Sequence, residues 1–152
     1  MGNARQIEDL DQIPGNARLC LYGAGGFCQN VLKRLAVSRP DVTVTLLTDT
    51  FKTGKAFGLE LVAPGSLAGE NRGAYDFVFV TAGSVARNAI LSTLLSMGID
   101  NVLMANDDLQ HQCFFQNCSE GHFVFNTINV ELTAKCNMAC EFCGFRARRK
   151  ER

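Results

Sequence analysis

Short apolar runs alternate with stretches of helical periodicity through the first hundred residues. Arg18–Tyr22 (RLCLY) reads as a strand running into Gly23-Ala24-Gly25-Gly26. A helix is predicted over 27–38, where Val31, Leu32, Leu35 and Ala36 recur at core spacing, and Pro40 ends it. Residues 42–47 (VTVTLL) form a second strand that finishes at Asp49. Residues 51–58 read as a Lys/Gly/Thr loop, 58–62 as a short extra strand and 64–69 as one helical turn. Phe77–Val80 (FVFV) is a third buried strand ending at Thr81-Ala82-Gly83. Ser84 then reads as the N-cap of a helix over 85–97 that Gly98 closes. Residues 101–105 (NVLMA) make a fourth strand. Strands separated by helices predict an α/β fold, a Rossmann-like, doubly wound parallel sheet.

The pattern changes after Asn106. Residues 107–122 are polar with no clear period, and 123–125 and 128–132 read as extended. The predicted organisation is an N-terminal extension (1–15), a Rossmann-like domain (16–106), a connector (107–125) and the start of a further domain (126–152).

Composition narrows the class without naming it. A chain of 152 residues with 47% hydrophobic and 20% charged residues is globular rather than disordered. Fifteen basic residues balance fifteen acidic ones. The balance hides a basic tail, since 145–152 (FRARRKER) holds five basic residues and one acid. No apolar run approaches a membrane span. The polar N-terminus is no signal peptide, and Gln6 stands where a myristoylation signal needs Ser or Thr. A cytoplasmic location is expected, with no membrane partner. Seven cysteines without a secretory signal point to metal or redox chemistry over disulfides.

The glycine turn has the context of a dinucleotide fingerprint. Gly23-x-Gly25-x-x-Cys28 follows a strand and opens a helix. Glycine at 23 permits the tight turn, and glycines at 25 and 26 let backbone N–H groups approach a pyrophosphate at the helix N-terminus. Asp49, at the end of the next strand, stands where a ribose-binding acid belongs. Cys28 departs from the pattern, which has a third small residue there, and could block the loop. Two readings stay open: a nucleotide or nucleotide-sugar site, or a docking module that binds neither. The stretch resembles the Rossmann-like domains of sugar-modifying proteins, namely the N-terminal domain of sugar acyltransferases and the C-terminal domain of sugar C-methyltransferases. It shares with them the turn Gly23–Gly26, Asp49, Gly58 and Pro64, which implies the fold more than a ligand. No dehydrogenase signature such as Tyr-x-x-x-Lys occurs, so hydride transfer is not expected.

Cys136-x-x-x-Cys140-x-x-Cys143 lies in ELTAKCNMACEFCG, residues 131–144. Three thiolates within eight residues can converge on one cluster, and soft sulfur ligands favour iron–sulfur or zinc. Zinc would want a fourth ligand, normally from paired C-x-x-C spacings. Three cysteines leave one iron of a [4Fe–4S] cube without a protein ligand. The run resembles the cluster-binding signature of the radical S-adenosylmethionine superfamily: the preceding Glu-Leu-Thr, the Asn-Met after the first cysteine, Phe142 before the third and Gly144 after it all agree. The resemblance implies that Cys136, Cys140 and Cys143 hold a [4Fe–4S] cluster whose fourth iron is chelated by S-adenosylmethionine. It implies that Phe142 packs near the adenine and that 128–132 is the first strand of a (β/α) barrel. An electron from a donor such as flavodoxin or ferredoxin would then cleave the sulfonium to a 5′-deoxyadenosyl radical, which abstracts hydrogen from a small-molecule substrate. The resemblance covers 126–152 only, and such a barrel needs far more chain. The expectation is therefore part of a longer enzyme, inactive by itself.

Lesser features have plain readings. His111, Cys113, Cys118 and His122 could form a metal site but read more simply as a loop with buried thiols and exposed imidazoles. Cys20 reads as core. The basic tail reads as a charged helix face, and no nucleic-acid partner is expected.

Overall fold

A computed structural model describes residues 4–115. The cysteines at 136, 140 and 143, Phe142, and the segments 123–125 and 128–132 lie outside the described residues.

Among those residues are seven strands: β1 (Arg5–Ile7), β2 (Arg18–Tyr22), β3 (Thr43–Thr48), β4 (Gly54–Ala56), β5 (Leu59–Val62), β6 (Phe77–Val80) and β7 (Val102–Ala105). They form one sheet in the order β1-β7-β6-β2-β3-β5-β4, parallel throughout except for the β4–β5 pair. Three α-helices cover it: α1 (Gly26–Ser38), α2 (Ser84–Ser96) and α3 (Asp107–Phe115). This architecture is compatible with the predicted Rossmann-like fold.

The period-two alternation of the central strands sorts the core onto two faces. Leu19 and Leu21 of β2, Phe79 of β6 and Leu103 of β7 pack with Phe27, Val31 and Leu35 of α1 and Leu109 of α3. Cys20 and Tyr22, Val78 and Val80, and Val102 and Met104 point the other way, onto Ile90 and Leu94 of α2. A fully buried Leu or Phe contributes roughly 2 kcal/mol relative to exposure, so every central position is costly to vacate. Both helix stops expected from sequence are present. The Arg39 N–H, one residue before Pro40, bonds the Leu35 carbonyl. Gly98 (φ +74°) and Ile99 return N–H bonds to Leu95 and Leu94.

The structure departs from the sequence pattern in four places. Arg5–Ile7 pairs in parallel with β7, and Ile7, Leu10 and Ile13 are buried, so the stretch read as an extension belongs to the sheet and core. A three-residue strand is too short to announce itself. The loop over 51–58 contains β4, turned into β5 through Phe57 (φ 52°) and Gly58 (φ 82°). Two adjacent positive φ values mark a tight hairpin, and Phe-Gly lacks the usual Asn-Gly or Asp-Gly signal. Gly83, not Ser84, is the N-cap of α2, and Ser84 is already helical. The Gly83 carbonyl already accepts the N–H groups of Ala86 (3.1 Å) and Arg87 (3.2 Å), so the helix starts a residue earlier than a Ser84 cap would allow. Finally, 107–115 is helical. Asn106 caps it through Leu109 N–H (2.8 Å), with Asp107 and Asp108 in the first turn, and Leu109 and Cys113, four apart, are buried.

Candidate functional site

The chain leaves β2 for β3 on one side and later returns to β6 on the other, which opens a crevice at the carboxyl ends of these strands. Gly23, Gly25, Gly26 and Asp49 all line it.

Gly23 is demanded by the fold. Its φ is +109°, and a Cβ on it would lie 3.0 Å from the Ala82 nitrogen and 3.1 Å from the Thr81 carbonyl carbon. Its N–H bonds the Thr48 carbonyl at 2.8 Å, while Thr81 donates its hydroxyl to the Gly23 carbonyl, also at 2.8 Å. The turn is thus clamped between the ends of β3 and β6. Gly25 and Gly26 are different. Gly25 has φ −102°, open to any residue, and a Cβ on either glycine would meet nothing within 4 Å. The same is true of Gly83, across the crevice at the start of α2. Gly25 and Gly83 are the N-caps of α1 and α2, and neither makes a side-chain cap bond. Both helices therefore direct the partial positive charge of their N-termini at bare backbone.

Asp49 is tied into the turn. Its Oδ2 accepts the Ala24 N–H at 2.8 Å, and its Oδ1 accepts those of Phe51 (2.9 Å) and Lys52 (3.1 Å). The Lys52 ammonium donates to the Ala24 carbonyl, so both polar groups of that residue are held by the β3–β4 loop. Burial pushes the Asp49 carboxyl upward, but the N–H bonds from Phe51, Ala24 and Lys52, with the nearby ammonium, outweigh it and hold it below the ordinary carboxylate value. Three of roughly four lone-pair positions are occupied, which leaves Oδ2 able to accept about one further donor such as a ribose hydroxyl.

Two adjoining cavities of about 400 Å³ and 410 Å³ share Gly23, Asp49, Phe51 and Ala82. One runs over Gly25, Gly26 and Gly83, with Lys52 and Gln110 at its side. The other is walled by Ala86, Ala89 and Ile90 of α2, with Pro64 opposite. Each lies within the size range of small-molecule sites.

Cys28 does not obstruct either cavity. It is fully buried beneath α1 among Leu21, Val31 and Phe79. Burial raises its thiol to about 11 against the opposing pull of Thr81 and Lys52. It therefore serves as the small residue of close helix–strand packing, and the expectation that it blocks the loop is corrected. Cys20 is core, as expected, its thiol pushed up to about 12 chiefly by burial. Cys113 is buried with the Arg34 guanidinium on its sulfur at 3.6 Å, whereas His111, two residues away, is exposed. No group of three metal-ligating side chains occurs among the described residues, and no helix among them is long and apolar enough to cross a membrane.

No protein-family model and no curated protein matches the chain. Among solved structures it is similar to the crystal structure of RSP, a Rex-family repressor, at 15% identity and a TM-score of 0.49. The match covers 64% of this chain and 56% of that one. The structure of RSP in complex with beta-NADH is similar at 15% identity and a TM-score of 0.47, with the same coverage. This chain thus spans little more than half of the length of those proteins. At that distance the strand order and register, not the likeness, define the fold.

Four contributors to the crevice escape a sequence reading. Thr81 and Gly83 sit in a second strand–glycine–helix turn that mirrors the first, a signal present in Thr81-Ala82-Gly83. Lys52 and Phe51 lie in a loop whose composition says nothing of where it folds back.

Proposed function

We propose that residues 4–115 form a Rossmann-like module that binds a nucleotide or nucleotide-sugar across the Gly23–Gly26 turn. The observation that carries this reading is the set of glycines at 25, 26 and 83. Neither backbone conformation nor neighbouring atoms require glycine there, yet each bares backbone toward one crevice. A phosphate brought against two uncapped helix N-termini meets N–H donors and favourable dipoles, with the Lys52 ammonium beside them. Asp49 keeps acceptor capacity for a ribose hydroxyl. ADP, NADH and UDP-glucose provide the test. At least one is expected to raise the melting temperature of the protein, as a ligand that binds only the folded state must. Gly25→Asp places a carboxylate where the phosphates pass, a like-charge contact costing several kcal/mol, and is expected to remove the shift. Gly25→Ala, whose methyl enters open space, is expected to lose no more than about 1 kcal/mol of stability, the N-cap preference for glycine over alanine, and serves as its control. If no member of the panel gives a shift, or if Gly25→Asp retains it, the docking-module reading replaces this one.

For the remainder of the chain, the resemblance of Cys136, Cys140 and Cys143 to the radical S-adenosylmethionine signature is the support. On it we read this chain as belonging to an iron–sulfur enzyme that reductively cleaves S-adenosylmethionine, with the module above as an accessory domain. Anaerobic reconstitution with iron and sulfide, followed by EPR of the reduced protein, checks it. The expected result is a [4Fe–4S] signal that changes on adding S-adenosylmethionine and is absent in Cys140→Ala. Stoichiometric zinc without sulfide would favour a zinc site at these cysteines and end the radical reading.

A further inference from the structure

The two cavities differ in chemistry, and the difference orients the ligand. Building on the nucleotide reading, we propose that Phe51 and the Ala86–Ala89–Ile90 face of α2 form a cleft that stacks the planar base, while the phosphates cross Gly25, Gly26 and Gly83.

Phe51 is the first observation. It is 92% exposed, although burying such a ring is favourable. It nevertheless lies on the wall shared by both cavities. Its position is fixed from the backbone, because its N–H bonds the same Asp49 carboxylate that holds the glycine turn. An unburied aromatic anchored at the mouth of an apolar cavity is a ready face for a second flat ring.

The opposite wall is the second observation. Ala86 and Ala89, three apart on α2, present one turn of the helix with methyl side chains only, and Ile90 backs them. Small residues there leave room for a ring where larger ones would fill the cleft. The hydroxyls of this cavity each have a partner within the protein. The Tyr22 and Thr50 hydroxyls bond each other at 3.0 Å, and Thr93 donates to the Ala89 carbonyl at 3.0 Å. Among the described residues lining it, Asp49 alone is charged and none carries a side-chain amide. Such a cleft selects a base by its flat face rather than by its hydrogen-bonding edge. Gly25, Gly26, Gly83 and Lys52 line the other cavity, so base and phosphates divide between the two.

Calorimetric titration of the full chain with ADP, UDP and inorganic pyrophosphate tests the assignment. ADP and UDP are expected to bind within about tenfold of each other, since Asp49 is given to the ribose and the lining carries no amide or second charge to read the edge of the base. Stacking on one aromatic side chain is worth about 1–3 kcal/mol per base, so Phe51→Ala should weaken ADP about tenfold and leave pyrophosphate unchanged. Phe51→Trp should retain ADP binding, and Ala89→Phe, which fills the facing wall, should repeat the loss. Equal weakening of ADP and pyrophosphate by Phe51→Ala, or no weakening of ADP, overturns the stacking role while the nucleotide reading stands. A wild-type protein that binds neither ADP nor UDP overturns it as well. Whether the nucleotide reading then falls is decided separately, by the NADH and UDP-glucose shifts and their response to Gly25→Asp.

Discussion

Gly23→Val is expected to destabilise the protein by about 4 kcal/mol, while Gly25→Val, two residues along the same turn, costs only the N-cap preference for glycine over valine, about 1 kcal/mol. The larger number has two sources. At φ +109° a β-branched residue carries backbone strain of order 1–3 kcal/mol. Its side chain must also displace the Thr81–Ala82 backbone, which approaches the Cβ position to 3.0 Å, an overpacking cost of about 1–3 kcal/mol. The neighbouring atoms are main chain held by the hydrogen bond from Thr81 N–H to the Tyr22 carbonyl, so they cannot swing away as a flexible side chain would. At Gly25 the φ of −102° suits valine and the Cβ meets nothing. Urea unfolding of the two variants beside the wild type reads the contrast directly, and the Gly23 variant should melt roughly 15 °C lower. Equal losses at both positions would mean that Gly25 is also a fold requirement, which would remove the main support for a ligand there. The expected outcome assigns one glycine of the motif to the fold and the next to function.

That division was not visible in the sequence. The motif Gly23-x-Gly25 marks a turn between strand and helix, and strand–glycine–helix spacing places it correctly at the end of β2. A sequence assigns both glycines to one cause, because backbone conformation and neighbouring atoms are tertiary facts. The same limit explains Cys28. Its chemistry suggested an obstruction, while its place three residues beyond Gly25 turns it inward under α1. The strands β2 and β6 were legible to the residue because each is an apolar run buried on both faces. β1 and β4 were not, since three residues at a sheet edge show no period and gain their structure from β7 and β5. Phe51 illustrates the strongest limit. An aromatic in a polar loop reads as nothing, and only the fold shows that it stands over the crevice.

Asp49 supplies the second large effect, and its direction separates two roles. A carboxylate whose first duty is to meet a ribose would tolerate Asp49→Asn with little loss of stability. The structure gives it an earlier duty. Oδ2 accepts from Ala24 on the glycine turn and Oδ1 from Phe51 and Lys52 on the β3–β4 loop, so acceptors are needed on both sides of the carbon. An amide has an acceptor on one side only, and its NH₂ would confront an N–H on the other. Asp49→Asn is therefore expected to cost about 2 kcal/mol, close to the cost of Asp49→Ala. Solvent reaches the carboxylate, which keeps the figure at the low end for charge-assisted bonds. Because the folded state holds this carboxyl below its ordinary value of about 3.9, its stabilisation is fully present above that value. It is lost as pH falls through the lowered folded pKa, where the protonated acid can no longer accept on both sides. The stability difference between wild type and Asp49→Asn, followed by denaturant unfolding from pH 7 downward, should thus be constant to about pH 5 and shrink below about pH 4. A difference that persists unchanged in acid, or an Asn variant as stable as the wild type at pH 7, would return Asp49 to a purely ligand-facing role. In the expected case the residue that offers an acceptor to a bound ribose is also the latch that shapes the phosphate turn. A loss of nucleotide affinity in Asp49→Asn then reports both functions together, and Gly25→Asp remains the cleaner probe of the ligand.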